Sequence, residues 1–399
     1  MTSRYQETED AYGSSAFQKF PVTIVRGMGA SVWDEYGKEF IDCMAGYGVA
    51  IVGHCNQDVV AALKTQAEKL ITCHGSFYND ARAEFLERMA GVAPKGLEKS
   101  LLTNSGAETI EAAIKLARRH TGRKKVVSMK GGFHGKTFGA LSATWNKKYR
   151  DPFGPLLPDF EFAEYGVAES ASSVTDGSTA AVIAEPIQGE TGIVVPPPDY
   201  LRSLRELCDR TGALLILDEI QTGLGRTGRM WASDHSGVVP DIMCVSKGLA
   251  GGVPFGAALT TREVMASLKR GEHTSTFAGN PLACAAASAT LRFISEHDLP
   301  RQAAEKGRTM KSGLEKIASG SKLCREVRGM GLMLAVETRV DIHEALLSAL
   351  KRGVIFAYSG RETFRFLPPL VIEESQISKA LGVLGGVLVD EETRRLGAN

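Results

Sequence analysis

Apolar positions along this chain fall into two rhythms that alternate. Short runs in which nearly every residue is apolar, at 100–103, 125–129, 180–184, 214–217 and 242–245, are each closed by a small or charged residue. Between several of them lie stretches with apolar residues three and four apart, at 56–70, 80–93, from 105 onward and at 200–211. The first pattern predicts strands buried on both faces of a parallel sheet, and the second predicts amphipathic helices that cover it. From about residue 46 to 290 the alternation is that of βαβ units, so the fold class is α/β with a mostly parallel sheet.

The two ends read differently. Residues 1–20 are polar with a few aromatics and predict an arm that gains order only by packing on something else. Residues 22–25, 30–34 and 39–41, broken by Gly27 and Gly37, predict short antiparallel strands. Beyond about 295 come a long charged helix at 303–317, the strand-rich tract VRGMGLMLAVE, a further helix, and the stretches GVIFAYSG and TFRFLPPLVIEESQI. These predict a smaller α+β domain completed by the N-terminal strands. The division is 1–45 for arm and strands, 46–290 for a large domain and 291–399 for the small one.

Composition narrows the partners. At 43% hydrophobic and 23% charged, 399 residues suffice for one large and one smaller core, and a net charge of +1 gives no global field toward nucleic acid or membrane. No apolar run is long enough to span a bilayer, and MTSRYQETED lacks the apolar core of a signal peptide. The seven cysteines are scattered without CxxC spacing, which predicts neither a disulfide framework nor a metal site and implies a reducing cytoplasm.

Chemistry concentrates where the strands end. Asp218 closes the 214–217 run, at the carboxyl edge where open α/β sheets place their ligands. Lys247 follows the 242–245 run, so two parallel strands deliver a carboxylate and an amine to one edge. Gly223, Gly225 and Gly228 spell GxGxxG, but DEIQT separates the strand from the first glycine and no amphipathic helix follows, so they read as a turn rather than a dinucleotide site. Ser105 with Glu108 predicts a capping box, and Ser105, Gly106 and Ala107 then offer backbone N–H groups to a phosphate at a positive helix end. Phe133 and His134 sit at a glycine turn, Tyr47 and His54 near another, and Glu190 in a Gly-flanked loop where a carboxylate faces a cavity. Glu185, before Pro186, reads as structural. Arg365 lies within the alternation Phe364, Phe366, Leu367.

The string DEIQTGLGRTG, with PDI and SKGLAGGVPFGA after it, resembles the signature of class III, ω-amino-acid-type aminotransferases, which use pyridoxal 5'-phosphate (PLP). The resemblance runs from the strands near Trp33 to RFLPPLVI. It implies the large PLP-dependent transferase fold, type I, with a seven-stranded sheet. It also implies Lys247 as the Schiff-base lysine and proton shuttle, Asp218 against the pyridine nitrogen and Gln221 on the ring hydroxyl. A carboxylate beside that nitrogen keeps it protonated, which makes the ring a better electron sink. Ser105, Gly106 and Ala107 are implied as the phosphate cradle, Phe133 on the ring face with His134 beside it, and Thr276 reaching the phosphate of a neighbouring subunit, hence a homodimer. Arg365 is implied to grip a substrate α-carboxylate in a planar two-point contact, with Glu190 as a switchable cover.

Glutamate and 2-oxoglutarate are the implied amino-group partners. For the second substrate, relatives acting on free ornithine carry a tyrosine where Phe17 stands, and many relatives carry arginine where Lys136 stands. With Tyr47, these residues outline the substrate end of the site. GYGVAIVGH, ATWNKKYRDPFGPL and REVRGMGLM resemble the enzymes of lysine and arginine biosynthesis that aminate semialdehydes carried on LysW, a small acidic amino-group carrier protein. The basic clusters Arg118, Arg119, Arg123, Lys124, Lys125 and Lys147, Lys148, Arg150 are candidate ground for such a partner. N-acetylornithine on its own, ornithine or γ-aminobutyrate, and a PLP aminomutase on the same fold, remain as alternatives.

Overall fold

The apolar runs pair side by side in two sheets of seven strands each; the computed structural model describes residues 3–396. Near the N-terminus stand β1 (Ile24–Met28), β2 (Ser31–Asp34) and β3 (Glu39–Cys43). The large sheet is built from β4 (Lys99–Thr103), β5 (Lys125–Met129), β6 (Phe160–Ala163), β7 (Thr179–Ala184), β8 (Leu214–Asp218), β9 (Ile242–Val245) and β10 (Gly256–Thr260). Its order is β4-β10-β9-β8-β7-β5-β6. Only β10 runs antiparallel to its neighbours, so the sheet is mostly parallel as the pattern predicted. β6 and β10 escaped prediction: FEFA is a short edge strand, and GAALT is poor in the β-branched and aromatic residues that mark strands.

Successive residues of the central strands feed opposite layers. Val126, Ala181, Ile183, Leu214 and Ile216 pack with Ile110, Ala113, Ile114 and Ala117 of the helix Gly106–Thr121. Val127, Val182, Leu215 and Leu217 pack on the other side with Leu201, Leu204 and Leu207 of the helix Tyr200–Thr211. The period of two in the strands thus meets the period of 3.6 in both helices.

The second sheet adds β11 (Cys324–Met330), β12 (Met333–Thr338), β13 (Val354–Ser359) and β14 (Thr363–Phe366), in the order β1-β2-β3-β13-β14-β12-β11. β3 pairs in parallel with β13 through Val354 and Ile41, so the N-terminal strands close the sheet formed by the C-terminal part. After β14, Pro368 and Pro369 stop the strand because neither donates to a ladder, and VIEESQI leads into the helix Glu374–Leu396. The charged helix starts earlier than expected, at Leu299, with Pro300 in its first turn. Within the expected arm, Arg4–Tyr12 is helical, started by the Ser3 hydroxyl accepting from the Gln6 N–H, and it buries none of its residues.

The GLGRTG turn joins the two sheets. Arg226 is 1% exposed, and its Nη1 donates to the carbonyls of Leu332 and Pro368 on the second sheet's side.

Candidate active site

β7 and β8 run in parallel with Ala184 opposite Leu217, so Glu185, the first residue after β7, lies beside Asp218, the last residue of β8. Asp218 is 4% exposed; its Oδ1 accepts the Ile220 N–H at 3.1 Å, and its Oδ2 lies 2.7 Å from His134 Nδ1. His134 arrives from the glycine turn after β5, fixed by its N–H on the Thr144 hydroxyl at 2.9 Å. Burial alone would lower the imidazole pKa, but the hydrogen bond to Asp218 and that residue's charge outweigh it and raise it. His134 Nε2 is buried with no partner among the described residues.

Glu185, read as structural, lies within the site. It is 6% exposed beside Asp218 and His134, with Oε1 accepting the Phe133 N–H at 3.0 Å and Oε2 accepting the Gly189 N–H at 2.9 Å. Burial raises its pKa to about 7; His134 opposes that shift and Asp218 adds to it.

β9 delivers Lys247 to the same edge. Its φ of 43° is left-handed, a conformation a lysine adopts only where its surroundings enforce it. Burial lowers the pKa of its amine; Arg365 lowers it further, while Glu190, Asp218 and Glu185 oppose. The neutral amine is the form that acts as nucleophile and base.

At the start of the helix Gly106–Thr121, the Ser105 hydroxyl accepts the Glu108 N–H at 3.2 Å as predicted. The reciprocal half of the box is displaced by one residue. Glu108 Oε2 accepts from the Asn104 N–H at 2.7 Å rather than from Ser105. Gly106 and Ala107 are left as first-turn donors with no intrahelical acceptor. Gly135 (φ +129°) lies so close that a Cβ there would sit 2.8 Å from Ala107 Cβ. Thr276 is exposed, and Ser275 beside it accepts from Asn104 Nδ2 at 3.1 Å, which brings this loop to the same helix end.

Opposite Lys247 lies a buried cation with its cover. Arg365, 1% exposed on β14, donates through Nε to the Tyr358 carbonyl and through Nη1 to the Gly189 carbonyl and to Glu190 Oε1, each at 3.0 Å. Its guanidinium stands 5.1 Å over the ring of Tyr47, whose own φ is 59° and whose hydroxyl pKa burial pushes up to about 12. Burial would raise the Glu190 pKa, but Arg365 and then Lys247 bring it below the ordinary value. Gln221 Oε1 is buried with no partner among the described residues, against a Gly189 whose Cβ would collide with it.

Two cavities open outward from here. One of about 1010 Å³ is lined by Phe133, Tyr149, Glu190 and Arg328 among others, and one of about 810 Å³ by Phe17, Tyr47, Lys136 and Tyr358. Tyr149, absent from the sequence reading, borders both; it meets Phe133 edge-on at 5.8 Å, and the Lys136 ammonium lies 4.6 Å over its ring. The basic clusters divide. Arg118 and Arg123 are spent on backbone carbonyls, Arg119 on Glu272 and Lys125 on Asp176, whereas Lys147 and Lys148 are exposed at the cavity mouths.

A strand-end lysine and carboxylate, with a helix start whose first N–H groups are open and a buried arginine, make a site suited to a phosphate-bearing cofactor and a carboxylate-bearing substrate. The chain belongs to the class-III aminotransferases, whose family model matches residues 12–388. It is 46% identical to an acetylornithine aminotransferase of Methanopyrus kandleri over 96% of this chain and 98% of that one. It is 44% identical to a [LysW]-aminoadipate semialdehyde transaminase of Deinococcus radiodurans, over 97% and 90%. Among solved structures, the ornithine aminotransferase of Toxoplasma gondii superposes with a TM-score of 0.95 at 36% identity, covering 98% of this chain and 96% of that one. The protein is therefore an aminotransferase and PLP is its cofactor. The orphaned Gln221 Oε1 and the open donors at the helix start fit such a cofactor.

Proposed function

We propose that this enzyme moves an amino group between glutamate or 2-oxoglutarate and the ω-position of an N-blocked semialdehyde or diamino acid. The observation that carries this reading is the Glu190–Arg365 pair. One substrate brings an α-carboxylate for Arg365 and the other brings none, so a site serving both needs a carboxylate that covers the cation and moves aside.

Ser105, Gly106 and Ala107 would hold the PLP phosphate, Phe133 the ring face, Asp218 the ring nitrogen and Gln221 the ring hydroxyl. Bound PLP supplies an electron sink for the carbanion formed when the substrate carbon loses its proton. Lys247 Nζ takes that proton and returns it, a shuttle that its lowered pKa favours at neutral pH. Asp218 keeps the ring nitrogen protonated, and the His134 hydrogen bond fixes its orientation. Thr276, exposed on a loop beside the helix start, would complete the phosphate site of a second copy in a homodimer.

Phe17, 79% exposed on the wall of the 810 Å³ cavity, has no hydroxyl with which to grip a free α-amino group. Lys136 holds a distal carboxylate as a point charge rather than a fork, which accommodates a bulkier substrate. Lys147 and Lys148 at the mouth suit an acidic carrier such as LysW, which the name of the Deinococcus relative prints. The acetylated small molecule is the second reading, favoured by the Methanopyrus relative. The test is kcat/KM for carrier-linked, acetylated and free substrates at low and raised salt. Free ornithine as the best substrate would remove the N-blocked reading. Equal use of acetylated and carrier-linked forms with no salt effect would remove the carrier.

A further inference from the structure

Glu185 is a single side chain that touches both working loops. Register sets it beside Asp218 at neighbouring strand ends, and each of its carboxyl oxygens accepts a different backbone N–H. The Phe133 N–H, at 3.0 Å, belongs to the loop that carries the aromatic ring and then His134. The Gly189 N–H, at 2.9 Å, belongs to the loop that carries Glu190. Gly189 is doubly held, since its carbonyl accepts from Arg365 Nη1 at 3.0 Å. Behind Glu185, the Tyr165 hydroxyl donates to the carbonyls of Glu185 and Pro186 at 3.1 and 3.0 Å, so the clamp has a fixed base.

We infer that Glu185 is a positioning residue for the amino transfer: its carboxyl group spans the Phe133 and Gly189 backbones, so one side chain sets both the aromatic wall and the carboxylate over Arg365. An oxygen on each side is needed because both partners are donors. Glutamine would turn one oxygen into an NH2 facing an N–H, and aspartate, shorter by one methylene, would reach only one loop. The charged and titratable neighbours from the packed elements are His134 after β5, Tyr165 after β6, Asp218 on β8 and Lys247 after β9. With its pKa raised to about 7 by burial, the carboxyl group changes charge within the working range.

The inference rests in part on Glu190 covering Arg365, so the experiment separates the two. Holoenzymes carrying Glu185→Asp, Glu185→Gln and, as a control, Glu190→Ala are compared in single-turnover half-reactions, with the induced circular dichroism of bound PLP as a readout independent of turnover. Both Glu185 variants should alter the cofactor dichroism and slow the ω-amine half-reaction about tenfold more than the glutamate half-reaction, the factor of one hydrogen bond to a charged group. Unchanged dichroism with equal slowing of both halves would overturn the inference, even if thermal stability falls. If Glu190→Ala separates the half-reactions and the Glu185 variants do not, the inference fails while the cover on Arg365 stands. If Glu190→Ala does not separate them, the cover fails and Glu185 is judged on dichroism alone. Should both Glu185 variants misfold, Tyr165→Phe loosens the base of the clamp and must reproduce the dichroism change at smaller amplitude; an unaltered band would count against it.

Discussion

Glu190→Ala uncovers Arg365 and should separate the two half-reactions in opposite directions. At 3.0 Å, and with an effective dielectric of about 20, the Coulomb attraction between the two groups is roughly 5 kcal/mol. On the proposed reading most of this is exchanged rather than lost when glutamate binds, because its α-carboxylate would take the same place on the guanidinium. The remainder is the cost of moving Glu190, whose side chain is 29% exposed and partly rehydrated once displaced. Taking that remainder as about 1.5 to 3 kcal/mol, the range for hydrogen bonds to charged groups, glutamate should bind the variant about tenfold to 150-fold more tightly. The ω-amine substrate brings no carboxylate, so Arg365, 1% exposed, would face it as an unpaired buried cation, and that half-reaction should slow by a similar factor. Stopped-flow single turnovers that follow the cofactor absorbance with each donor measure both effects. Equal change in the two halves, or weaker glutamate binding, would refute the reasoning.

Lys247→Ala should retain PLP non-covalently, lose borohydride fixation and lose turnover altogether; measurable steady-state transamination would exclude Lys247 as the proton carrier. If Asp218 pairs with the ring nitrogen as proposed, Asp218→Asn should lower kcat by about 10² to 10³ at nearly unchanged fold stability, the scale of losing one preorganised charge partner. Glu185 also predicts a pH trend. Its folded pKa, about 7, is above its ordinary 4.5, so the folded state holds the proton more tightly. This contribution is present in full below about 4.5 and is lost as pH rises through 7, about 3 kcal/mol in all. Denaturation midpoints of wild type and Glu185→Gln from pH 5 to 8 should therefore converge as pH rises if the wild type is the more stable at low pH, and parallel curves would contradict it.

What was legible in the sequence is what a local pattern encodes. The all-apolar run at β8 fixed its burial on both faces, and closing it with Asp218 placed a carboxylate at the sheet edge before any pairing was known. Lys247 followed in the same way from β9. Residues whose roles depend on register were not legible. Glu185 before a proline looks like a strand terminator, and only the pairing of Ala184 with Leu217 reveals that it emerges beside Asp218. Tyr149, in a basic stretch, gave no periodic signal because its partners, Phe133 and Lys136, reach it across a loop. The first basic cluster was not legible for a related reason: sequence counts charges but not the carbonyls and carboxylates that take them up, and Arg118, Arg123 and Lys125 find theirs on Pro158, Thr211 and Asp176, in other segments. The GLGRTG turn shows the same dependence from the other direction. Its glycines form the turn that the sequence reading expected, yet what the turn holds appears only with the second sheet in place. Gly331 approaches this turn so closely that a Cβ on it would meet the Arg226 carbonyl at 2.7 Å, while Arg226 reaches past it to Leu332 and Pro368. One loop following the catalytic strand β8 therefore also binds the sheet that carries Arg365. The turn after β8 and the sheet bearing Arg365 are thus tied by backbone packing that no residue motif records.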